Sequence, residues 1–412
     1  MSYLLRSAKI IDSTSEFHLQ NKDILIENGF ISSIKDEIIA ANKDVEVIKH
    51  ENLLVSPGWI DPLVDFGEPG FEQRQGLENG IAEAIQGGFC TIGVLPNTKP
   101  VIDHGSILDY FNRNNVKINI HVNGTVSKNL KGEQLSEMFD LNQNGAISFT
   151  DYKRGLNNPQ LLKLALQYTQ NFGGLVVNYP LDENLMNNGL MHEGKQSTRL
   201  GLKGISYLSE EVRVLRDLEI LRYTKGKMHF ACLSSAKAVD YVSKAKEEGL
   251  KVSCSVTPHH LFFNDSDINH FDTLFKTLPP LRTKNNNKKL ISQINEGMID
   301  FVHSDHFALH TDMKETVFDQ AEFGAESLGL SFGALTKTVN MEKAVELFTN
   351  AYEIFSLKRP EITLNSPASL SLFCKQKQSL PRFADSTSIW KNESFEYLPL
   401  GILNNGKAFL NS

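Results

Sequence analysis

Three carboxylates follow one another closely in the stretch Val55–Gly70 (VSPGWIDPLVDFGEPG): Asp61, Asp65 and Glu68. The apolar residues around them, Trp59, Ile60, Leu63 and Val64, read as a buried parallel strand that ends in the loop Gly67, Pro69-Gly70. Carboxylates at a strand end can move protons or bind a cation. A second group surrounds Asp305, which follows FVHS and precedes His306. A carboxylate and an imidazole leaving one strand end would suit acid–base work or metal ligation, and the plainer alternative is a loop-capping aspartate. His259-His260 is a third candidate, but neighbouring side chains on a strand point to opposite faces. At most one could face a site, and structural hydrogen bonding is the simpler role for the pair. The sequence holds no glycine-rich phosphate loop, no Ser/His/Asp constellation and no paired CxxC.

Positioning such groups requires a frame, and the hydrophobic pattern supplies one. Eight apolar runs qualify as buried strands: Leu53–Trp59, Phe89–Leu95, Val116–Val122, Ala146–Phe149, Leu175–Tyr179, Met228–Leu233, Lys251–Val256 and Asp300–Val302. Amphipathic stretches lie between them, among them Asn79–Gln86, Glu133–Leu141, Gln160–Tyr168, Glu210–Tyr223 and Ser235–Glu247. Several of these end at glycine, as helices commonly do (Gly87, Gly145, Gly249). Eight strand–helix units between residues 55 and 358 fit an α/β protein of the (β/α)8 barrel type. Chemistry then belongs at the C-terminal strand ends, which carry Asp61, Asp65, Asn97, Asp151, Tyr179, Cys232 and Asp305.

Both ends of the chain have a different texture. Asp23–Ile34 alternates around Asn28-Gly29, and Leu400–Leu410 alternates around Asn405-Gly406, both strong hairpin signals. Val45–Ile48 and Ser369–Phe373 add further strands. Residues 1–54 and 359–412 are therefore expected to pair as one small β-sandwich domain beside a barrel of 55–358. Asn285–Asn287 reads as a polar loop.

Composition narrows the function classes. The chain has 412 residues, 41% hydrophobic, with a net charge of −7 spread along its length, which argues against nucleic acid or an anionic membrane as partner. No run is long enough to span a bilayer, and MSYLLRSAKIIDS lacks the apolar core of a signal peptide. Cys90, Cys232, Cys254 and Cys374 show no paired spacing, and the expectation is reduced thiols in a cytoplasmic protein.

Ordered motifs along the chain resemble the dihydroorotases of the amidohydrolase superfamily, in their long form with a barrel and a β domain. Pro57-Gly58-Trp59-Ile60-Asp61 and Glu68-Pro69-Gly70-Phe71-Glu72 are similar to the first-strand signature. Leu95-Pro96-Asn97-Thr98, Thr257-Pro258-His259-His260-Leu261, Pro279-Pro280-Leu281-Arg282 and Ser304-Asp305-His306 are similar to later landmarks. Gly124–Met138 and Met191–Leu202 follow the family as well. The resemblance implies hydrolysis of a cyclic amide by water activated on zinc.

The family's zinc ligands and substrate clamp are where this chain departs. Two first-strand histidines and the substrate arginine fall on Leu63, Asp65 and Gly67, and the fifth- and sixth-strand histidines on Tyr179 and Cys232. A substrate-contacting asparagine falls on Leu278; a histidine after the eighth strand falls on Leu309, with His310 one place late. Asn97 (substrate contact), Asp151 (strand-four carboxylate) and Asp305 (general base) remain. Leucine offers no lone pair, and a phenol with a pKa near ~10 is a poor substitute for imidazole. The expectation is a barrel without catalytic zinc, with Asp305 vestigial and the fold kept as a structural or assembly subunit. By resemblance its partner would be aspartate transcarbamoylase, which some bacteria assemble with an inactive dihydroorotase-like chain; homo-oligomerisation is also expected. The alternative is an active cyclic amidohydrolase, on dihydroorotate or a hydantoin- or allantoin-like ureide, with a metal site rebuilt from Asp65, Asp151, Cys232 and Asp305.

Overall fold

The computed structural model describes residues 2–39, 44–112, 116–379 and 388–411. Its first strands are β1 (Ser2–Ile10), β2 (Asn21–Glu27), β3 (Phe30–Lys35), β4 (Val45–Ile48) and β5 (Leu53–Pro57). Between β2 and β3, Asn28 and Gly29 take φ of 52° and 81°, the left-handed pair that a two-residue hairpin demands. The barrel begins with β6 (Trp59–Val64) and continues through β7 (Phe89–Val94), β8 (Asn119–Gly124), β9 (Ala146–Phe149) and β10 (Val176–Asn178). A separate two-residue ladder, β11 (Met191–His192) with β12 (Gly204–Ile205), decorates the chain before it re-enters the barrel. Then come β13 (Met228–Phe230), β14 (Val252–Val256) and β15 (Phe301–Val302). Finally β16 (Leu370–Ser379), β17 (Phe395–Asn404) and β18 (Lys407–Leu410) return to the N-terminal strands.

The eight barrel strands run parallel in chain order, β6 to β15. The ring closes just beyond the last strand, where Asp65 N donates to His306 O (3.0 Å) and Ala308 N donates to Asp65 O (3.3 Å). This is a (β/α)8 barrel. The terminal strands form a second sheet in the order β18-β17-β16-β5-β1-β2-β3, with β4 on β1. It folds over one apolar core, Leu5, Ile24, Ile26, Val55, Leu370 and Leu403 among others, so that the turns at Gly29 and Gly406 come into contact.

One expected strand divides in two. Leu53–Trp59 reads as continuous, but Leu53–Pro57 pairs antiparallel with β16, while the barrel starts only at Trp59. Pro57-Gly58 is the break, and Gly58 lies so close to β7 that an added Cβ would meet Cys90 Sγ at 2.6 Å. Trp59 then welds the two units: its ring stacks on Phe332 at 4.0 Å and packs on Phe373 of β16 at 5.4 Å.

Other differences are local. The third strand starts at Asn119, and Val116 is exposed. The helix expected over 133–141 is displaced to Met138–Gln143, because Ser136 bonds back to Thr125 and Val126. Asn285–Asn287 lies in the first turn of helix Lys284–Asn295, capped by Thr283; the buried Asn286 and Asn287 amides bond to Ser234 O and Phe263 O. Among the described residues no helix is long and apolar enough to cross a membrane.

Candidate functional site

The strand ends do converge, but several of the expected side chains are already engaged. At the end of β6, Asp61 Oδ2 accepts from Ser304 N (2.7 Å), tying the first strand to the last. Its carboxyl is pushed up by burial. Leu63 is wholly buried in the barrel interior with Ile60, Val177 and Tyr179. Asp65 accepts from Gly67 N (2.8 Å), from Asn97 Nδ2 (2.6 Å) and from the Arg74 guanidinium. Arg74 also lies over the Phe307 ring at 4.6 Å and against Gly67, where an added Cβ would approach its Nε to 2.7 Å. A guanidinium nine residues away from Asp65 thus caps this side of the mouth.

Asp151 points elsewhere. Its Oδ1 accepts from Val126 N (3.0 Å) and Ser127 N (2.9 Å), and its Oδ2 from the Ser127 hydroxyl, so it secures the loop after β8. Tyr179 is buried, and its hydroxyl, like that of Tyr152 beside it (ring centres 6.1 Å apart), has no hydrogen-bond partner. Burial first, and then Asp305, pushes the Tyr179 phenol well above its usual value.

The eighth strand supplies the densest cluster. Asp305 is buried and bonded through Oδ2 to Lys153 Nζ at 2.8 Å, an ion pair closed across the barrel by residues 152 positions apart. Burial pushes the Asp305 carboxyl up and the ammonium opposes that shift. Donor atoms of Cys232, His303 and Asp305 all lie within 4.8 Å of one another, and no other triad of His, Cys, Asp or Glu donors among the described residues does so. Both His303 ring nitrogens are buried without partners, and the ring is pushed down to about 3 by burial, so it is neutral at pH 7. The Cys232 thiol is pushed far up by burial and by Asp305.

Tyr152, Cys232 and Asp305 hold φ of 62°, 59° and 54°. Left-handed backbone in non-glycine residues costs on the order of 1–2 kcal/mol each and clusters at functional sites.

Two expectations about histidines are corrected. His306 does not share the mouth with Asp305: its Nδ1 accepts from Ser327 N (3.3 Å) and its Nε2 meets Gln75 Oε1 (2.9 Å). The left-handed turn at Asp305 sends the two side chains apart. His259-His260 is not on a strand but in helix Pro258–Phe262, capped by Thr257. His260 bonds to Thr257 Oγ1 and Pro279 O; His259 lies 3.9 Å from Asp305 Oδ2, with both ring nitrogens unpartnered. His310 stays outside, half exposed, capping Asp312 N, while Leu309 is buried.

One cavity at the mouth measures ≈10 Å³ and is lined by Lys153, Tyr179, Pro180, Leu181, Leu278 and Pro279. That is room for about one water, whereas small-molecule sites span roughly 300–1,000 Å³. Of two larger surface grooves, of ≈480 and ≈430 Å³, the first includes Glu68 and neither includes Asp61, Asp65, Asn97, Asp151, Tyr179, Cys232 or Asp305.

The family's zinc does not fit these residues. Leu63 cannot ligate, Asp65 is taken by Arg74 and Asn97, Asp151 is spent on a loop, and Asp305 is held by an ammonium. Lys153, Arg74 and His303 are the mouth residues that sequence reasoning missed. A usable signal existed only for His303, which precedes Asp305 by two and so shares its face of a strand.

Barrel, terminal sheet and mouth together define an amidohydrolase-type α/β barrel protein. Comparison with known proteins narrows this further. The family model described as dihydro-orotase-like matches residues 52–238. A dihydroorotase of Carboxydothermus hydrogenoformans is 34% identical over 349 residues, covering 84% of this chain and 80% of that one. A dihydroorotase of Ruminiclostridium cellulolyticum is 32% identical over 411 residues, covering 97% and 95%. The chain therefore belongs to the dihydroorotase family of the amidohydrolase superfamily. Among solved structures, the L-hydantoinase (dihydropyrimidinase) of Arthrobacter aurescens superposes with a TM-score of 0.84 at 19% identity, covering 99% of this chain and 96% of that one. A D-hydantoinase (dihydropyrimidinase) of a Thermus species gives 0.79 at 18%, covering 99% and 95%. These two likenesses concern the fold.

Proposed function

We propose that this chain is a catalytically silent dihydroorotase homologue, a cytoplasmic pseudoenzyme whose barrel is retained as a structural or assembly subunit. The observation that carries this reading is the Lys153–Asp305 ion pair. The carboxylate available as general base and metal ligand is neutralised from within the chain. Arg74 does the same for Asp65. A ring-opening hydrolysis needs an activated water, and carboxylates already paired with Lys153 and Arg74 oppose its formation. The partner we propose is aspartate transcarbamoylase, a proposal that rests on family resemblance.

Purified protein should carry far less than one zinc per chain and neither open nor close dihydroorotate. Stoichiometric metal together with measurable turnover would overturn the reading. Co-elution with aspartate transcarbamoylase in size-exclusion chromatography tests the partner separately.

A second reading, an active cyclic amidohydrolase with a rebuilt centre, has one observation in its favour: the Cys232–His303–Asp305 triad. On that reading, turnover of a dihydropyrimidine or hydantoin would be found, and Asp305→Ala would abolish it.

A further inference from the structure

We propose that the Lys153 ammonium takes over the role of a bound cation at the barrel mouth, and that its charge alone keeps the Cys232–His303–Asp305 triad from binding a thiophilic divalent metal. The inference rests on the non-catalytic reading and adds a residue-level cause to it.

Lys153 and Asp305 are 2.8 Å apart, with side chains 12% and 4% exposed, so the carboxylate's counter-charge comes from the protein rather than from solvent. Cys232 Sγ, a His303 ring nitrogen and an Asp305 oxygen already lie within 4.8 Å of one another. Neither His303 nitrogen has a partner, although the ring is fully buried, and this leaves a lone pair unused inside the cluster. One sulfur, one nitrogen and one oxygen donor around a single point is a set that zinc and cobalt(II) accept, with a fourth position left over. Cys232 stands where the family has its sixth-strand histidine and Asp305 is the retained eighth-strand carboxylate, whereas His303 lies outside the family's histidine set.

What opposes an ion is electrostatic. A divalent cation placed among these atoms would lie within a few ångströms of a buried ammonium, a repulsion of several kcal/mol even at an effective dielectric of 20. Removing that ammonium leaves Asp305 buried without a counter-ion, and a metal becomes the group that satisfies it. Binding to the Lys153→Met protein would release two protons to solvent, that of the Cys232 thiol and that which Asp305 takes up once the ammonium is gone, and would form S–metal, N–metal and O–metal bonds with no change of oxidation state.

The experiment uses the full chain with Lys153→Met, Lys153→Gln and Lys153→Arg, each verified as folded by circular dichroism and size-exclusion chromatography. Lys153→Gln keeps a hydrogen bond to Asp305, so it reports on the charge should Lys153→Met fail to fold. Zinc per chain is measured after dialysis against Zn²⁺, and Co²⁺ is titrated while the thiolate-to-cobalt absorption is recorded. Wild type and Lys153→Arg are expected to bind none; Lys153→Met and Lys153→Gln are expected to bind one ion per chain, with thiolate absorption lost on adding Cys232→Ser and a rise in Tm with metal. If the folded neutral variants bind no more metal than wild type, the inference fails and the non-catalytic reading stands. If Lys153→Arg binds as the neutral variants do, charge is not the cause and the inference fails. If wild type itself binds cobalt through Cys232, the masking role is gone, and dihydroorotate turnover by that sample would remove the non-catalytic reading as well.

Discussion

The barrel mouth and the buried network around Arg282 are both polar, both water-poor, and both built from family landmarks, yet they are satisfied to very different degrees. Arg282 Nε donates to Ser234 Oγ (2.9 Å) and Nη1 to Ile205 O (3.1 Å), while Nη2 lies 3.5 Å from Glu210 Oε2. Glu210 in turn accepts from Ser234 N (3.0 Å) and Ser235 N (2.8 Å). The mouth differs: hydroxyls of Tyr152 and Tyr179 and the ring nitrogens of His259 and His303 are buried without partners. A network that holds loops in place has kept its complement of bonds. The mouth holds left-handed non-glycine backbone and unpaired atoms, with two internal salt bridges on its carboxylates.

Substitutions can break that contrast. The largest effect is expected from Arg282→Met, which takes the guanidinium away from the buried Glu210 and leaves its charge to the Ser234 and Ser235 donors alone; urea denaturation should show a loss of about 3–5 kcal/mol. Lys153→Met should cost less, about 1–3 kcal/mol, because Asp305 can take up a proton once its counter-ion is gone. The same variant should lose stability as pH rises, since a carboxyl whose folded pKa is raised stabilises below the unfolded value and ceases to do so as it ionises.

His303 gives a sharper test with the opposite sign. Its ring is held neutral down to about 3, so the unfolded chain binds a proton first as pH falls below ~6.5. Native stability should therefore fall on acidification between those values, by up to ~1.4 kcal/mol per pH unit from this group. His303→Leu should remove that contribution from the slope while changing stability at pH 7 by no more than ~1 kcal/mol, because no bond is lost. The smallest effect belongs to Tyr179→Phe, expected within ~0.5 kcal/mol of wild type or slightly stabilising, as the hydroxyl removed is unpartnered. A loss of 2 kcal/mol or more, on the order of a buried hydrogen bond with its desolvation cost, would show that the mouth is as well satisfied as the Arg282 network.

Much of the frame was legible in the chain itself. Alternation around Asn28-Gly29 and Asn405-Gly406 identified the terminal hairpins, and the apolar runs from Phe89 onward identified the parallel strands, because these signals are local and repeat with the geometry of the element. The split of Leu53–Trp59 was not legible: both halves are apolar, and only their separate partners, β16 and β7, distinguish them. The helical fate of Asn285–Asn287 was hidden for a related reason, since asparagine favours a helix's first turn only where tertiary acceptors await its amide.

At the site, the sequence by itself determined which groups the side chains can offer: Leu63 has no lone pair for a metal and Gly67 no guanidinium for a carboxylate, wherever the chain carries them. Tertiary structure alone decided what fills the gap. Ion pairs such as Lys153–Asp305 join residues 152 positions apart, and a carboxylate's role depends on which partner the fold delivers, as the loop-bound Asp151 and the arginine-capped Asp65 both attest.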